Sequence, residues 1–228
     1  MASKEELKKL AAYRAVDFVQ NGMVIGLGSG STARFATLRI GEKLRQGELH
    51  NILAIPTSEE TAHLAREQGI PLTSLEEQAE IDLTIDGADE VDPHLKVIKG
   101  LGGFLLREKI VAAASKQEII VVDESKLVPR LGSKAPVPVE VVPFGWKQTW
   151  RALIAHGASP QLRMSGQAPF ITDEGNYIVD CFFREIRDPQ ELSLTLNAIP
   201  GVVENGLFLG LVDTVVVASS TGVRILER

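Results

Sequence analysis

The sequence predicts an α/β fold: a mostly parallel sheet with helices on both faces, joined to a smaller α+β subdomain. Three observations lead there. Short apolar runs of strand length alternate with segments of helical period over roughly residues 4–126. Glycine-rich turns follow or precede several of those runs. Pro129, Pro136, Pro138 and Pro143 then break the rhythm within fifteen residues, and hairpin and helix signals mix beyond them.

The elements follow in order. Residues 4–20 read as an amphipathic helix, since Leu7, Leu10, Ala11, Ala15, Phe18 and Val19 recur at helical period. Ser3 is its expected N-cap, and Glu6 completes a capping box. Residues 23–27 form a buried strand, and the glycines of residues 26–32 (GLGSGST) follow at once. A helix then runs to about Arg45, a strand over 52–55, and a helix over about 58–68. Residues 81–86, 96–98 and 118–122 are further strands, with an apolar helix over 104–114 between the last two. Past the prolines come a helix around 146–154, two strands within 170–183 joined by a turn at Asp173-Glu174-Gly175-Asn176, and a helix over 188–198. The β-branched run from Thr214 to Ala218 is expected back in the main sheet. The expected division is residues 1–129 with 206–228 as the larger domain, and 130–205 as the smaller. No internal repeat or low-complexity segment is present.

Composition narrows the function. The chain has 228 residues, 44% of them apolar, enough for a full core. A net charge of −6 argues against a nucleic-acid partner, which needs a basic face. Cys181 is the only cysteine, so no internal disulfide can form, which fits a reducing compartment. No apolar run reaches membrane-spanning length, and the charged start MASKEE lacks the apolar core of a signal peptide. The expectation is a soluble, cytoplasmic protein without a membrane partner.

Residues 86–92 (DGADEVD) carry the densest chemistry. Asp86, Asp89, Glu90 and Asp92 crowd the end of a strand in which Ile81, Leu83 and Ile85 alternate with Asp82 and Thr84. Ligands of open α/β sheets bind outside the carboxyl ends of the strands. Acids placed there suit a metal or a polyhydroxylated substrate, although a solvated acidic turn has the same sequence. The metal reading is the weaker. The acids stand at relative positions 1, 4, 5 and 7, not at the 1, 3, 5 of a calcium loop. His50, His63, His94 and His156 are scattered and form no zinc-like pair.

Two glycine turns can cradle anions. In residues 26–32 the backbone N–H groups, a helix N-terminus and the hydroxyls of Ser29, Ser31 and Thr32 meet. The pattern has Ser31 where a dinucleotide fingerprint needs its last glycine, and it lacks the Gly-Lys-Ser/Thr of a Walker loop, so a monophosphate fits better. In residues 99–103 (KGLGG) three glycines lead into a helix, with Lys99 at the mouth. Within that helix Glu108 projects from an apolar stripe made with Phe104, Val111 and Ala112. Burial there would raise its pKa toward that of a general base working near neutrality; the alternative is a core-edge glutamate paired with a cation. Lys126, just past the strand of residues 118–122, can point into the same cleft. The inventory suits proton transfer beside a carbonyl and requires neither a redox cofactor nor a metal.

These segments resemble type A ribose-5-phosphate isomerase. The matching stretches are GLGSGST at 26–32, DGADEVD at 86–92, KGLGG at 99–103, LREKI at 106–110 and VVDESK at 121–126, and PVEVVP at 138–143 and IPGVV at 199–203 also look like the family's. The resemblance implies a Rossmann-like sheet plus a smaller, ferredoxin-like subdomain, assembled as a homodimer or homotetramer. It implies a cofactor-free, metal-free aldose–ketose isomerase that interconverts ribose 5-phosphate and ribulose 5-phosphate, in the pentose phosphate pathway or the Calvin cycle. By position, Glu108 is the base that moves a proton between C2 and C1 through a cis-enediol. Asp86, Asp89 and Lys99 hold sugar oxygens, assist ring opening or stabilise the oxyanion. Ser29, Gly30, Ser31, Thr32 and Lys126 line the substrate cleft, with Ser31 and Thr32 nearest the phosphate. Gly87, Ala88, Gly100, Leu101 and Gly102 complete the substrate contacts. Leu101 and Phe104 depart from the glycine and alanine common in the family. Leu101 would be strained if its position needed positive φ, and is harmless if its side chain points away.

Rival readings are another sugar-phosphate isomerase or deaminase on a related sheet, or a sugar-phosphate-sensing regulatory domain. A sensor needs no glutamate on an apolar helix, and no basic helix-turn-helix accompanies this chain.

Overall fold

The computed structural model describes residues 3–228, so Met1 and Ala2 of the charged start lie outside the described residues. Two compact units result. The first comprises the described residues through Ala88, with Arg107–Leu127 and Gly210–Arg228; the second comprises Asp89–Leu106 and Val128–Leu209.

In the first unit, apolar and β-branched runs assemble a six-stranded sheet. Its order is Gly222–Glu227, Thr214–Ser219, Glu118–Asp123, Leu83–Gly87, Val24–Leu27, Leu53–Pro56. All neighbours are parallel except the edge strand Gly222–Glu227. Every residue of Glu118–Asp123 is buried, as a parallel strand covered on both faces requires. Thr214–Ser219 pairs with it, so that run does return to the main sheet.

Helix α1 (Lys4–Val16) and helix α2 (Gly30–Arg45) cover one face, where Ala11, Ala12, Ala15 and Ile40 pack with Ile25, Leu27, Leu83, Ile85 and Val121. The capping box of Ser3 and Glu6 is formed. Helical geometry ends at Val16, short of residue 20, yet the apolar period persists. Bonds from Asp17, Phe18 and Val19 reach back three residues, so a tightened turn carries Val19 into the core. Helix α3 (Glu59–Glu67) packs beside α2, and α4 (Leu105–Ala113) sends Val111 to a cluster with Ile55 and Ile81. Gly26 makes that approach possible: a Cβ there would lie 2.8 Å from Val111 Cγ1 and 1.9 Å from Thr84 Oγ1.

The second unit holds an antiparallel sheet of order Val202–Asn205, Val137–Val141, Tyr177–Phe183, Ala158–Leu162. With α5 (Trp146–Ala155) and α6 (Pro189–Asn197) the chain runs strand–helix–strand–strand–helix–strand, a ferredoxin-like arrangement. Pro138 sits in a central strand, which its missing N–H normally forbids. The pairing with Val202–Asn205 ends at Asn205↔Val139, and the Pro138 carbonyl accepts from Gly206 N at 2.7 Å just beyond it. No ladder donor is therefore demanded of the proline. Residues 96–98 do form a strand, Val97–Ile98, but in a separate three-stranded sheet with Glu90–Val91 and Leu207–Phe208.

The expected hairpin also differs. Within 170–183 only Tyr177–Phe183 is a strand, and the first arm of the expected hairpin is a single bridge from Ile171 to Tyr177. The turn exists, with Gly175 N donating to Thr172 O at 2.9 Å. Tyr177–Phe183 instead takes both its partners from distant segments, Val137–Val141 and Ala158–Leu162.

That turn is tied to a buried acid. Glu140 Oε1 accepts from Thr172 Oγ1 and from Asn176 Nδ2, each at 2.9 Å. Burial raises its pKa above the ordinary glutamate value of 4.5, against the two hydrogen bonds that lower it. A raised native-state pKa means the folded protein binds more protons than the unfolded chain above that value, so this contribution to stability is lost as pH rises. Glu140→Gln cannot ionise. Its melting temperature relative to the unsubstituted protein should climb as pH is raised from 4.5 toward 7; a pH-independent difference in thermal melts would refute the assignment.

Candidate active site

The parallel sheet gathers three of the chemistry-bearing segments at one edge. Residues 26–32 leave the end of Val24–Leu27, residues 86–88 end Leu83–Gly87, and residues 124–126 leave the end of Glu118–Asp123. Val24–Leu27 and Leu83–Gly87 are neighbours in register, Leu27 beside Ile85, so Gly28 falls beside Asp86. Gly28 N donates to Ile85 O at 2.9 Å. Asp86 is 1% exposed, and its Oδ1 accepts from Ser29 N at 3.1 Å and from Gly87 N at 2.6 Å. Two backbone donors on one carboxylate oxygen hold the side chain at the strand end. Gly28 is indispensable to that contact, because a Cβ there would lie 2.2 Å from Asp86 Oδ1 and 2.5 Å from its Cα.

Helix α2 begins one residue later. Gly30 has φ +85, and the N-cap Ser29 makes no side-chain cap bond. Its Oγ instead turns inward to Thr57 Oγ1 and Ser58 Oγ at 2.7 Å and to Thr61 Oγ1 at 3.1 Å, a buried hydroxyl cluster. The first turn of α2 is thus left without a side-chain cap, the condition under which a helix N-terminus receives an anion. Gly30 and Ser31 are exposed and Thr32 is half-buried. Lys8 Nζ, from α1, donates to Ser31 Oγ at 2.7 Å. Lys126 closes a short 3₁₀ turn, Glu124–Lys126, capped by Asp123 Oδ1 accepting from Ser125 N at 3.0 Å.

Glu108 lies in the first turn of α4 and is 5% exposed. Val111 and Ala112, one turn on, are buried with it, whereas Phe104, the third residue of the expected stripe, precedes the helix and is half-buried. Its neighbour Arg107 turns to Glu59 Oε1 at 2.8 Å.

The remaining expected residues belong to the second unit. Asp89 N donates to Ile98 O at 2.8 Å, and Asp89 Oδ2 accepts from Leu101 N at 2.9 Å, which joins the acidic turn to the KGLGG loop. Glu90 is fully buried and accepts from Gly132 N, Lys134 N and Ala135 N at 2.6, 2.5 and 2.7 Å. Lys99 is 2% exposed, with its N–H on Gly206 O at 2.9 Å and its ammonium 5.4 Å from the Phe208 ring centre. In the loop, positive φ falls on Gly100 (+107) and Gly103 (+94). Leu101 is not among the positive-φ residues, and its side chain is exposed, so leucine is tolerated there without strain. Gly102 is exposed beside it.

Sequence reasoning missed Lys8, the Thr57–Ser58–Thr61 hydroxyls, and the Arg163 contacts to the KGLGG loop. None stands in a glycine turn or an acidic cluster. The packing of α1 on α2 and of adjacent strand ends brings the first two into place, and Arg163 reaches its loop from the end of Ala158–Leu162.

An uncapped helix terminus, a buried acid held by strand-end amides and a buried glutamate on an apolar helix define an enzyme that handles a small anionic, polyhydroxylated molecule. Comparison with known proteins makes this specific. The family model described as ribose 5-phosphate isomerase A (phosphoriboisomerase A) matches residues 53–222. The chain is 52% identical to ribose-5-phosphate isomerase A of Roseiflexus castenholzii, over 96% of this chain and 94% of that one. It is 54% identical to the protein of that name from Gloeobacter violaceus, over 96% and 95%. Among solved structures, a D-ribose-5-phosphate isomerase in complex with phospho-erythronic acid superposes with a TM-score of 0.97 at 46% identity, covering both chains fully. The Plasmodium falciparum enzyme gives 0.96 at 43% identity, over 98% of this chain and 99% of that one. The chain belongs to the ribose 5-phosphate isomerase A family.

Gly28→Ala tests the strand-end geometry. The added methyl cannot coexist with the Asp86 carboxylate, and relief of such overpacking costs about 1–3 kcal/mol. A lowered melting temperature together with loss of isomerase activity is expected. Unchanged values in a thermal melt and a steady-state assay would contradict the contact.

Proposed function

We propose that this chain interconverts D-ribose 5-phosphate and D-ribulose 5-phosphate with Glu108 as the proton-transfer base. The observation that carries the assignment is a carboxylate at 5% exposure on a helix whose neighbouring turn is apolar. In the reaction Glu108 takes the proton from C2 of the open-chain aldose, leaving a cis-enediol, and returns a proton to C1. The hydroxyl proton passes to the other oxygen, so the reaction balances without an external electron acceptor. Asp86, Asp89 and Lys99 hold the sugar oxygens, and the Lys99 ammonium stabilises negative charge developing on them. Gly87, Ala88, Gly100, Leu101 and Gly102 complete the substrate contacts.

The phosphate is assigned to the first turn of α2, on Ser31, Thr32 and the adjoining N–H groups. Support comes from the absence of a side-chain cap on that turn and from the exposure of Gly30 and Ser31. Lys8 and Lys126 add positive charge, and Ser29 and Gly30 shape the turn. A homodimer or homotetramer is the proposed assembly, supported by apolar side chains left in solvent on the second unit, Phe144 at 94% and Leu194 at 66% exposure. A cytoplasmic location accords with a single, buried, free cysteine. Among the described residues no helix is long and apolar enough to cross a membrane.

Glu108→Gln should cut turnover of ribose 5-phosphate by roughly 10²–10⁴-fold with the melting temperature little changed. A variant with near-normal turnover in a coupled assay rules Glu108 out as the base.

The phosphate assignment has a separate test. Ser31→Ala with Thr32→Ala removes two neutral donors to a charged group, each worth about 1.5–3 kcal/mol. kcat/KM for ribose 5-phosphate should fall by more than about tenfold, mostly through KM. Free ribose, which has no phosphate to lose, should be affected far less; equal losses on both substrates would place the phosphate elsewhere.

A further inference from the structure

We propose that Arg163 is a positioning residue: through the peptide that joins Gly100 to Leu101, it fixes the carboxylate of Asp89. Arg163 follows the strand Ala158–Leu162, and its own backbone is held on both sides. Its N–H donates to Ile178 O at 2.8 Å, and its carbonyl accepts from Phe170 N at 2.9 Å. The guanidinium grips Asp180 as a fork, Nε to Oδ2 at 3.0 Å and Nη2 to Oδ1. The remaining nitrogen, Nη1, donates to Gly100 O at 2.7 Å and to Leu101 O at 3.0 Å. From the far side of the same peptide, Leu101 N donates to Asp89 Oδ2 at 2.9 Å.

The peptide between residues 100 and 101 therefore has its carbonyl on a cation and its N–H on an anion. Hydrogen bonds linked in this way polarise one another, and their strength grows where water is scarce. The Arg163 and Asp180 side chains are only 13% and 18% exposed. Within the loop this peptide has one further tie, Gly103 N donating to Gly100 O at 3.0 Å. Gly100 and Gly103 are backbone hinges at φ +107 and +94, and Leu101, at 42% exposure, gives no anchoring burial. The Phe170 ring fills the space a Gly103 side chain would need, 2.4 Å from the position of a Cβ. The guanidinium lies 6.0 Å from the centre of that ring. Asp180, Arg163 and Phe170 thus form a clamp on the loop, and its hydrogen-bonded output is the orientation of Asp89. A lysine would keep the charge but not the planar fork that meets a carboxylate and two carbonyls together.

The inference rests on the assignment of Asp89 to the substrate oxygens, and a double-mutant cycle separates the two. Arg163→Gln, Asp89→Asn and the pair are compared for kcat, KM and melting temperature with ribose 5-phosphate. Misplacing one reacting-site group can cost on the order of 10²-fold, so Arg163→Gln should lower kcat/KM by up to roughly that factor. In the Asp89→Asn background the same change should add less than about twofold. Arg163→Lys should restore the melting temperature more fully than it restores kcat, and it replaces Arg163→Gln in the cycle if the glutamine variant does not fold. Independent, multiplying losses would overturn the positioning role while leaving Asp89 in place. Normal kinetics for Asp89→Asn alone would overturn the Asp89 assignment and the inference with it.

Discussion

The first unit depends on one close approach, the backbone of Gly28 against the carboxylate of Asp86. Two parallel strands of the sheet end in register, and at that point the chain places a charged group at 1% exposure. A buried carboxylate is tolerated only if donors meet it. Ser29 N and Gly87 N meet Oδ1, and they can do so because residue 28 has no side chain. The consequences spread outward. With its N–H directed at Asp86, Ser29 starts α2 without capping it and directs its hydroxyl into the Thr57–Ser58–Thr61 cluster. The uncapped first turn of α2 and the buried placement of Asp86 are in this way consequences of one steric requirement.

Much of this was legible in the sequence where the signal is local. The Ser3–Glu6 capping box, the strand ending at the acidic turn, and the glycines ahead of α2 and α4 each act within a few residues, and the structure reproduces them, although that strand begins at Leu83 and is buried continuously, not alternately. The turn at Thr172–Gly175 was legible for the same reason. The strand that follows it was assigned the wrong partner, because strand pairing is decided by burial against distant segments. Val137–Val141 was hidden as a strand by Pro138, whose missing donor is harmless only because the neighbouring ladder ends at Val139. Arg163 and Asp180 carry no motif at all. Arg163 meets Gly100 across more than sixty residues of chain with Asp180 holding its guanidinium, and only the folded sheet brings them there.

The departure at Leu101 shows how such a loop tolerates change. Positive φ is confined to Gly100 and Gly103, so the position between them asks only for an ordinary backbone and room for a side chain. Substitution there leaves the two peptide groups that matter, the Leu101 N–H on Asp89 and the carbonyls on Arg163, where they are. Chemistry carried by backbone groups is less sensitive to sequence than chemistry carried by side chains, provided the glycines that set the path remain.

Burial of charge alone does not mark a functional residue in this chain. Glu90 and Glu140 are fully buried, yet both are explained by the fold. Glu90 gathers the N–H groups of Gly132, Lys134 and Ala135, and Glu140 ties down the 172–176 turn. Each serves as an acceptor for donors that would otherwise stand unsatisfied in the interior. Glu108 and Lys99 sit in a different setting. One lies on a helix among apolar neighbours, and the other lies beside an aromatic ring at the mouth of a glycine loop. A fold selected for stability alone would fill such places with apolar side chains of similar volume, often at a gain. Real proteins break the local apolar pattern chiefly where function keeps the charge. Glu118 is buried as deeply, at 1% exposure, so depth alone cannot single out Glu108; a place on a helix between apolar neighbours distinguishes it from Glu90 and Glu140.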